Sequence, residues 1–352
     1  MKKLLLIIAM LLPLSTIAQR VEALAPWNLS KWDIPAGNYS GITPLGNDRY
    51  AIVSDKDSAD GFHIFHIEIA SSTGVVTNVT HEGFFANPHA QRSWQGWSTR
   101  DCEGIAYHPS GSIFISGEGD QEILEYTMRG LPTGRKLAVP SIFAKGKTVN
   151  NMGFEALCYD TATHLFWTTT ETTLPADGPY VTVRTPSVIN VLRFQSFGDN
   201  LQPAKQYAYR MDIGRTRKDG KNYAYGVSAM CPFGDGRLIV VERELNVTKT
   251  YFGSETVTKI YLADPRGAAI INDTTDVQHL APDAYIPKRL LTSFTTKIQP
   301  FRIDWANFEG ICFGPNLEGG RRTLLMVNDS QNRAGKSLAR LKDYIKVLVV
   351  YP

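Results

Sequence analysis

The sequence has no run of basic residues, only four cysteines and no long apolar stretch beyond its first residues. Its net charge is +3, and it falls to about +1 when Lys2 and Lys3 are set aside with the N-terminal segment. A chain so close to neutrality is not expected to bind nucleic acid or an anionic membrane. Gly-x-Ser-x-Gly and His-Glu-x-x-His are also missing, which argues against an α/β-hydrolase serine and against that class of zinc protease.

The first residues have the pattern of a secretory signal peptide. Two lysines precede an apolar run over residues 4–14, and small residues follow near position 18. The run is too short for a resident membrane helix. We predict a signal peptide over residues 1–18 and a single mature domain over residues 19–352. No cysteine follows the leader, so no lipid anchor is implied and the expected location is periplasmic or secreted.

A hairpin pattern recurs five times and dominates the chain. Each copy has Glu or Ser, a small residue, a large aliphatic residue and a second small residue, and then a returning strand that ends in an acid. The copies begin at Ser40, Glu103, Glu155, Ser228 and Glu309. The acids that end the second strands are Asp55, Glu118, Glu171, Glu242 and Asp329. The small positions allow neighbouring backbones to approach closely.

The spacing of the copies predicts a β-propeller. Successive copies start 52 to 81 residues apart, which suits four short strands and their loops, and the helical periodicity of an α-solenoid is missing. The last copy ends one strand short at residues 344–351, whereas residues 21–24 form a spare strand at the start. Pairing the two closes the ring. We predict an all-β, monomeric propeller of five four-stranded blades, with six as the alternative because residues 244–288 are irregular.

Three finer expectations accompany this fold. The outer strand of the second copy is placed near residues 137–143, and the best short helix at residues 337–344. Three cysteines occupy the same slot on the inner strand of their copies: Cys158, Cys231 and Cys312. Because that slot is small and interior, we favour buried free thiols over disulfides.

Strand direction brings both sets of repeat residues to one mouth of the propeller. In a meander blade, the start of the first strand and the end of the second lie on the same face, near the axis. Carboxylates crowded there must take up protons or bind cations, and Ca²⁺ is the first candidate among hard divalent cations. The predicted metal ligands are Asp55, Glu103, Glu118, Glu155, Glu171, Glu242, Glu309 and Asp329. The alternative is that these acids are solvated or bind backbone amides.

Several other polar residues could take part in chemistry at this mouth. The basic residues next to the repeat acids are Lys56, Arg100, Arg243 and Arg333. Arginine beside a carboxylate-bound cation suits phosphate binding, and simple salt bridging is the alternative. Three histidines are further candidates for acid–base groups, although strand or loop placement explains them equally well: His63, His81 and His89.

The repeat motifs, taken together, resemble the bacterial "esterase-like activity of phytase" family. The matching segments are Asp101–Ala106, Gly153–Leu157, Glu242–Arg243, Asn307–Ile311 and Leu325–Asp329. The resemblance extends in the same order from about Ser40 to Val350, and it implies an exported propeller with phosphoesterase-like activity. Ser40 and Ser228 depart from the acidic pattern. Histidine-acid phytase signatures are missing, so a phytase activity would have to be metal-dependent.

Two functional hypotheses follow. The first is a Ca²⁺-dependent hydrolase of a small phosphorylated substrate, with Glu155 and Arg243 as catalytic residues and Arg243 holding the phosphate. The second is a non-catalytic propeller that binds a ligand or a protein or glycan partner, with at most a structural ion. The aromatic loop at residues 93–97 favours binding of a planar or sugar-like group.

Overall fold

Five antiparallel sheets form the blades of a β-propeller, as predicted. The computed structural model describes residues 20–215, 220–300, 302–333 and 340–352. The predicted signal peptide lies outside these residues. No helix in the described part of the chain is long and apolar enough to cross a membrane.

Two short N-terminal strands precede the first three blades. They are β1 (Val21–Ala23) and β2 (Trp27–Asn28). The first blade consists of β3 (Tyr39–Gly46), β4 (Arg49–Ser54), β5 (Gly61–Ile69) and β6 (Val76–Ala86). The second blade consists of β7 (Cys102–His108), β8 (Ser112–Gly117), β9 (Glu122–Thr127) and β10 (Pro132–Lys136). The third blade begins with β11 (Phe154–Asp160), β12 (Leu165–Thr170), β13 (Val191–Gly198) and β14 (Pro203–Arg210).

The fourth blade has longer strands, and the fifth uses both ends of the chain. The fourth begins with β15 (Asn222–Pro232), β16 (Leu238–Val247) and β17 (Glu255–Ala263). A short strand, β18 (Ile270–Ile271), then returns to the edge of the third blade beside β14. The fourth blade is completed by β19 (Lys288–Gln299) and β20 (Arg302–Ile303). The fifth consists of β21 (Asn307–Phe313), β22 (Arg322–Asp329) and β23 (Tyr344–Val350), joined by β1 and β2.

Helical structure in the described residues is limited to short 3₁₀ turns. They are Leu29–Trp32, Ser141–Phe143, Pro175–Asp177, Pro265–Gly267, Val277–His279, Pro282–Ala284 and Glu318–Gly320. Residues 244–288, where a sixth blade was the alternative, contain the end of β16, β17, three of these turns and β18. The short helix expected at residues 337–344 falls partly outside the described residues, and Tyr344 itself begins β23.

The ring is closed by contacts between first strands. β3, β7, β11, β15 and β21 contact one another in this order, and β21 contacts β3. Added Cβ atoms on two inner glycines would lie too close to the next blade: at Gly41, 2.4 Å from the Glu103 carbonyl oxygen, and at Gly104, 2.8 Å from that of Glu155. The small residues of the repeat therefore set the distance between blades, as the sequence indicated.

The core consists mainly of five clusters, one between each pair of adjacent blades. Between the first two blades, for example, Val53 and Ile64 pack against Ile105 and Ile115. Both faces of each sheet are therefore apolar near the axis, which explains the nearly continuous apolar sequence of the second strands. All four cysteines are buried and free, so the prediction of buried thiols is confirmed.

The N-terminal strand closes the fifth blade. β1 pairs antiparallel with β23, with Glu22 opposite Val349. The Leu24 amide donates a 3.0 Å hydrogen bond to the Val347 carbonyl, and the Lys346 ammonium donates one of 2.6 Å to the Leu24 carbonyl. The predicted pairing of the two chain ends is confirmed.

The predicted outer strand of the second blade is wrong. The observed strand is β10 over Pro132–Lys136, and its five residues are all exposed. The apolar residues of 137–143 instead leave the sheet and fill the space beside the third blade, where Leu137 and Phe143 pack against Phe154. An outermost strand covers little core, so its position is poorly marked by apolar residues.

Candidate functional site: an acidic mouth

A β-bulge lies in the first strand of every blade, at the Glu or Ser of the repeat. The pairing with the second strand shifts between residues 39 and 41, 102 and 105, 154 and 156, 227 and 229, and 308 and 310. A bulge leaves one residue unpaired and redirects its side chain. The unpaired residues include Ser40, Glu103, Glu155, Ser228 and Glu309. Bulges in every blade thus turn the three glutamates toward a common region.

In four blades, the acid at the end of the second strand lies near these glutamates. The Asp55, Glu118 and Glu171 amides donate to the carbonyls of residues 38, 101 and 153, at 3.2, 2.8 and 2.7 Å. Asp329 pairs in the same position opposite Asn307. Seven of the eight predicted metal ligands therefore lie together and influence one another's ionisation: Asp55, Glu103, Glu118, Glu155, Glu171, Glu309 and Asp329.

Glu242 does not join this cluster; Arg243 takes its place. In the fourth blade Glu242 pairs with Val227 and Arg243 with Gly226, so Arg243 occupies the position that holds an acid elsewhere. Side chains alternate between the faces of a strand, and a difference of one residue sends Glu242 to the other face. There its carboxylate accepts hydrogen bonds from the Tyr209 and Tyr225 hydroxyls at 2.9 and 2.8 Å and from the Lys288 ammonium at 2.5 Å.

Arg243 is a buried counterion for the cluster. Its guanidinium donates to Glu171 at 2.5 Å and to the Asn307 side-chain oxygen at 3.0 Å, and it lies 3.4 Å from Glu309. Asn307 also donates to Glu309 at 2.7 Å. Arg243 Nε is buried and has no hydrogen-bond partner among the described residues. This arginine of the fourth blade is thus linked to Glu171 of the third blade and to Asn307 and Glu309 of the fifth.

Three carboxylates form the most compact part of the mouth. One oxygen each from Asp55, Asp101 and Glu103 lies within 4.8 Å of the others. The Lys56 ammonium lies beside them, 2.7 Å from Asp55 and 2.5 Å from Asp101. The other Asp55 oxygen, Oδ1, is buried and accepts no hydrogen bond from any described residue.

Burial and mutual repulsion raise the pKa values of these acids. Burial raises the pKa of Asp55 to about 7, and the charge of Asp329 adds to the effect. Burial and the charge of Glu171 raise the pKa of Glu118 to about 8. The pKa values of Glu103 and Glu155 lie well above the ordinary range, first because both are buried and then because neighbouring carboxylates oppose their ionisation. Ionised together, these groups would require positive charge beyond Lys56 and Arg243.

The donor set of Asp55, Asp101 and Glu103 fits a hard divalent cation. Ca²⁺ takes oxygen ligands at roughly 2.3–2.6 Å, so oxygens up to about 5 Å apart can share one ion. Oδ1 of Asp55, which has no partner among the described residues, is available as a ligand atom. Glu103 can therefore act as a third carboxylate ligand beside Asp55 and Asp101. Of these residues, only Asp101 was absent from the predicted ligands.

The other polar candidates lie outside the mouth. The Arg100 guanidinium is buried against Asp120 at 2.7 Å, and that of Arg333 pairs with Asp343. For these two, the salt-bridge interpretation holds. His63 joins Asp57 and His81 in a hydrogen-bonded chain within the first blade, at 2.8 and 3.0 Å. His89 is exposed in the loop after β6.

The channel below the mouth is nearly filled. Inner-strand residues such as Ile42, Ile105 and Ile311 leave a cavity of about 10 Å³, which is too small to hold more than one water molecule. The inner strands therefore leave little space along the axis beside the acidic residues.

Comparison with known proteins decides the family. The sequence profile described as Phytase-like, esterase-like activity of phytase, matches residues 34–331. The chain belongs to this phytase-like family. The family resemblance read from the repeat motifs is thus confirmed. The match includes all of the acidic positions gathered at the mouth.

No curated protein matches the phytase-like chain. Solved structures with a similar course of the chain include RS223 β-xylosidase, at 11% identity and a TM-score of 0.43, covering 92% of this chain and 94% of the other. The endo-arabinase of Bacteroides thetaiotaomicron VPI-5482 has 12% identity and a TM-score of 0.42, with 91% and 97% covered. Virginiamycin B lyase from Staphylococcus aureus has 14% identity and a TM-score of 0.34, with 94% and 99% covered. None of these similarities bears on activity.

Sequence reasoning missed two features of this phytase-like mouth. Asp101 was overlooked as a ligand because it has no counterpart in the other copies, although it stands two residues before Glu103. The role of Arg243 was obscured by aligning Glu242 with the other acids. The interval supplied a signal: Glu242 follows its repeat start by 14 residues, whereas 15 separate Ser228 from Arg243 and Glu103 from Glu118.

Proposed function

We propose that this phytase-like chain hydrolyses phosphoric esters with the help of a divalent cation, Ca²⁺ first, held at the acidic mouth. The observation that carries the proposal is the group formed by Asp55, Asp101 and Glu103, three carboxylates within 4.8 Å of one another. Oδ1 of Asp55 is buried and has no hydrogen-bond partner among the residues that the structure describes. It independently favours a ligand there, since buried polar atoms are nearly always satisfied.

The side chains around this group have separate tasks in the proposal. Asp55, Asp101 and Glu103 hold the cation, which when bound polarises a phosphoryl oxygen and activates water. Lys56 remains partly exposed at the edge of the mouth and binds a phosphoryl oxygen. Glu155 transfers a proton to the leaving alcohol, because its raised pKa keeps a proton on the carboxyl group. Arg243 keeps Glu171 and Glu309 in place through its buried guanidinium.

The decisive experiment combines metal analysis with turnover. The purified mature protein is assayed with an aryl phosphate and with phytate, with Ca²⁺ or EDTA, as wild type, Glu155→Gln and Asp55→Asn. We expect Ca²⁺-dependent release of phosphate that Glu155→Gln lowers at least about 100-fold, the range of general acid–base catalysis. Asp55→Asn should raise the Ca²⁺ concentration required. Glu242→Gln is the matched control, since Glu242 lies outside the mouth.

Turnover that EDTA leaves unchanged would contradict the proposal. So would the complete lack of turnover in a protein that binds Ca²⁺ and is folded. The second of these results would favour the alternative, a non-catalytic propeller with a structural ion.

A surface feature supports that alternative. Trp94, in the loop between β6 and β7, is 91% exposed, and Trp97 in the same loop is 37% exposed. Isolated exposed tryptophans at a loop tip suit stacking on a planar or sugar-like group. A glycan array with the wild type and Trp94→Ala tests this function without any assumption about turnover.

We also propose that the protein is exported, on the basis of the signal peptide pattern in residues 1–18. Expression of the full chain in a Gram-negative host should give a periplasmic protein that begins near Gln19. N-terminal sequencing of the cytoplasmic and periplasmic fractions checks this, and an uncleaved cytoplasmic product would contradict it.

A further inference from the structure

A large cleft opens beside the acidic mouth, between the fourth and fifth blades. Its volume is about 610 Å³. An engineered cavity of about 150 Å³ already admits benzene, so this cleft has room for a group of more than one ring. Its volume also lies within the range of small-molecule sites, roughly 300–1,000 Å³.

The wall of the cleft exists because the fourth blade is longer than the others. Second strands elsewhere end at or next to the acid of the mouth, whereas β16 continues past Arg243 to Val247 and stays paired with β15, with Leu245 opposite Ala224. Residues two apart on a strand share a face. Leu245 and Val247 therefore project on one side, where they pack with Trp305.

The wall is mainly apolar, and hydrogen bonds hold two of its aromatic side chains, Trp305 and Tyr251, in place. The Trp305 indole donates a 2.8 Å hydrogen bond to the Thr256 hydroxyl, and its ring lies 6.5 Å from that of Tyr251. The Tyr251 hydroxyl accepts a 2.7 Å hydrogen bond from Lys221. Tyr251 and its neighbour Phe252 remain 37% and 56% exposed. Preorganised rings of this kind provide contact area at little cost in side-chain entropy.

The cleft and the acidic mouth share residues. Asn307 and Asp329 both line the cleft. Asn307 is the residue that bridges Arg243 and Glu309, and Asp329 is one of the mouth carboxylates. A ligand with its phosphoryl group at the mouth can therefore extend into the cleft without leaving the protein surface.

We infer that the cleft binds the alcohol part of the ester, and that this part is an aromatic or otherwise apolar group. The inference rests on the proposed function for the position of the phosphoryl group. A densely charged alcohol, such as a sugar or inositol carrying several phosphates, would lose hydration against Leu245, Val247 and Trp305. Lys221 is the single cation among the described residues that line the cleft, too little to compensate several phosphates. Aryl phosphates and phosphate esters of apolar alcohols are the class of substrate that fits.

The test compares a large and a small ligand in matched variants. Affinity for 2-naphthylmethylphosphonate and for methylphosphonate is measured with Ca²⁺ by calorimetry, and turnover is measured with 2-naphthyl phosphate and methyl phosphate. The variants are Tyr251→Ala/Phe252→Ala, whose side chains are exposed enough to be changed without unfolding, and Leu131→Ala, which removes an equally exposed apolar side chain (44%) from the second blade.

We expect the naphthyl ligand to bind the wild type at least about tenfold more tightly than the methyl ligand, a difference that apolar contacts readily provide. The double variant should lose most of this preference, while Leu131→Ala keeps it and the Ca²⁺ content stays unchanged in both. Equal affinity for the two ligands, or a preference that survives in the double variant, overturns the inference. So does a change from dimer to monomer in the double variant, which would identify the cleft as a contact between copies.

The turnover measurements test the proposed function independently of the cleft. A wild type that prefers the naphthyl ligand but hydrolyses neither ester supports the cleft and contradicts the hydrolase. A wild type that hydrolyses both esters equally well supports the hydrolase and contradicts the cleft.

Discussion

At the scale of single residues, the mouth is defined by which side chain occupies one position in each blade. The first, second, third and fifth blades have an acid at this position, whereas the fourth blade has Arg243. Its positive charge lies against Glu171 and Glu309, so Arg243 neutralises part of the negative charge of the cluster. A buried pair of this kind adds little net stability, but it fixes geometry, because breaking it would leave an uncompensated charge.

The two glutamates Glu103 and Glu242 make a matched test of the proposed cation site. Both are buried and both belong to the repeat, but only Glu103 lies beside Asp55 and Asp101. We expect Glu103→Gln to weaken Ca²⁺ binding at least about tenfold, because a neutral amide is a weaker ligand than a carboxylate. Glu242→Gln should leave the affinity unchanged. Calorimetric titration of Ca²⁺ measures both, and equal losses would contradict the assignment.

At the scale of strands, the propeller depends on how closely its inner strands approach and on how the chain ends meet. The inner strands require small residues at the positions that face the next blade. The closing strand β1 supplies only three residues, yet it completes the fifth sheet.

Gly41→Ala should destabilise the protein. The added Cβ would lie 2.4 Å from the Glu103 carbonyl oxygen, so the first two blades must separate slightly. We expect a loss of about 2 kcal/mol in the free energy of unfolding, in the range found for overpacked interiors. Urea denaturation measures it.

Ala156→Gly, in the equivalent position of the third blade, is the control for Gly41→Ala. It should cost about 1 kcal/mol or less, the usual effect of glycine in a strand. A Gly41→Ala protein as stable as wild type would show that the blades are not held at this distance.

Two proline substitutions in β1 should differ sharply. The hydrogen bonds made by the Leu24 amide and the Arg20 carbonyl place the intervening Glu22 amide toward Val349, because hydrogen-bonded pairs alternate along an antiparallel ladder. The Ala23 amide then faces away from the sheet, where proline is tolerated. Glu22→Pro should lower the free energy of unfolding by at least about 1 kcal/mol, and Ala23→Pro by much less. Thermal denaturation compares them, and equal melting temperatures would indicate that β1 contributes nothing to closure.

At the scale of the whole molecule, the crowded acids make folding depend on pH. The pKa of Asp55 is raised to about 7 and that of Glu118 to about 8, whereas both ionise near pH 4 in an unfolded chain. Between these values the folded protein binds more protons than the unfolded chain, so stability falls as pH rises.

We therefore expect the Ca²⁺-free protein to become steadily less stable from about pH 5 to pH 8. Each unit of pKa elevation corresponds to about 1.4 kcal/mol, so the loss amounts to several kcal/mol. Ca²⁺ should reduce it, because the cation stabilises the ionised carboxylates. Urea denaturation at pH 5 and pH 8, with EDTA and with Ca²⁺, measures the effect. Stability that rises over this range without Ca²⁺ would contradict the arrangement of the mouth.

The sequence by itself determined the architecture of this protein. Strand alternation and turn residues are local signals, and five copies of the same hairpin repeat them, so the number of blades, the closing strand and the inner position of Glu103, Glu155 and Glu309 could be predicted. The spare residues 21–24 and the missing last strand were equally visible. The small residue after each repeat Glu or Ser also indicated that neighbouring blades approach closely.

Only the tertiary structure decided which side chains share the mouth and what adjoins it. A single register position separates Glu242 from Arg243. The interval in the sequence indicated the shift, but the pairing with β15 decides which of the two residues faces the mouth. Asp101 meets Asp55 because two blades come together, which no local pattern records. The cleft likewise arises where an extended β16 passes Trp305, a contact between residues about 60 positions apart. Such proximities depend on packing between distant segments, and the chain's local preferences do not contain them.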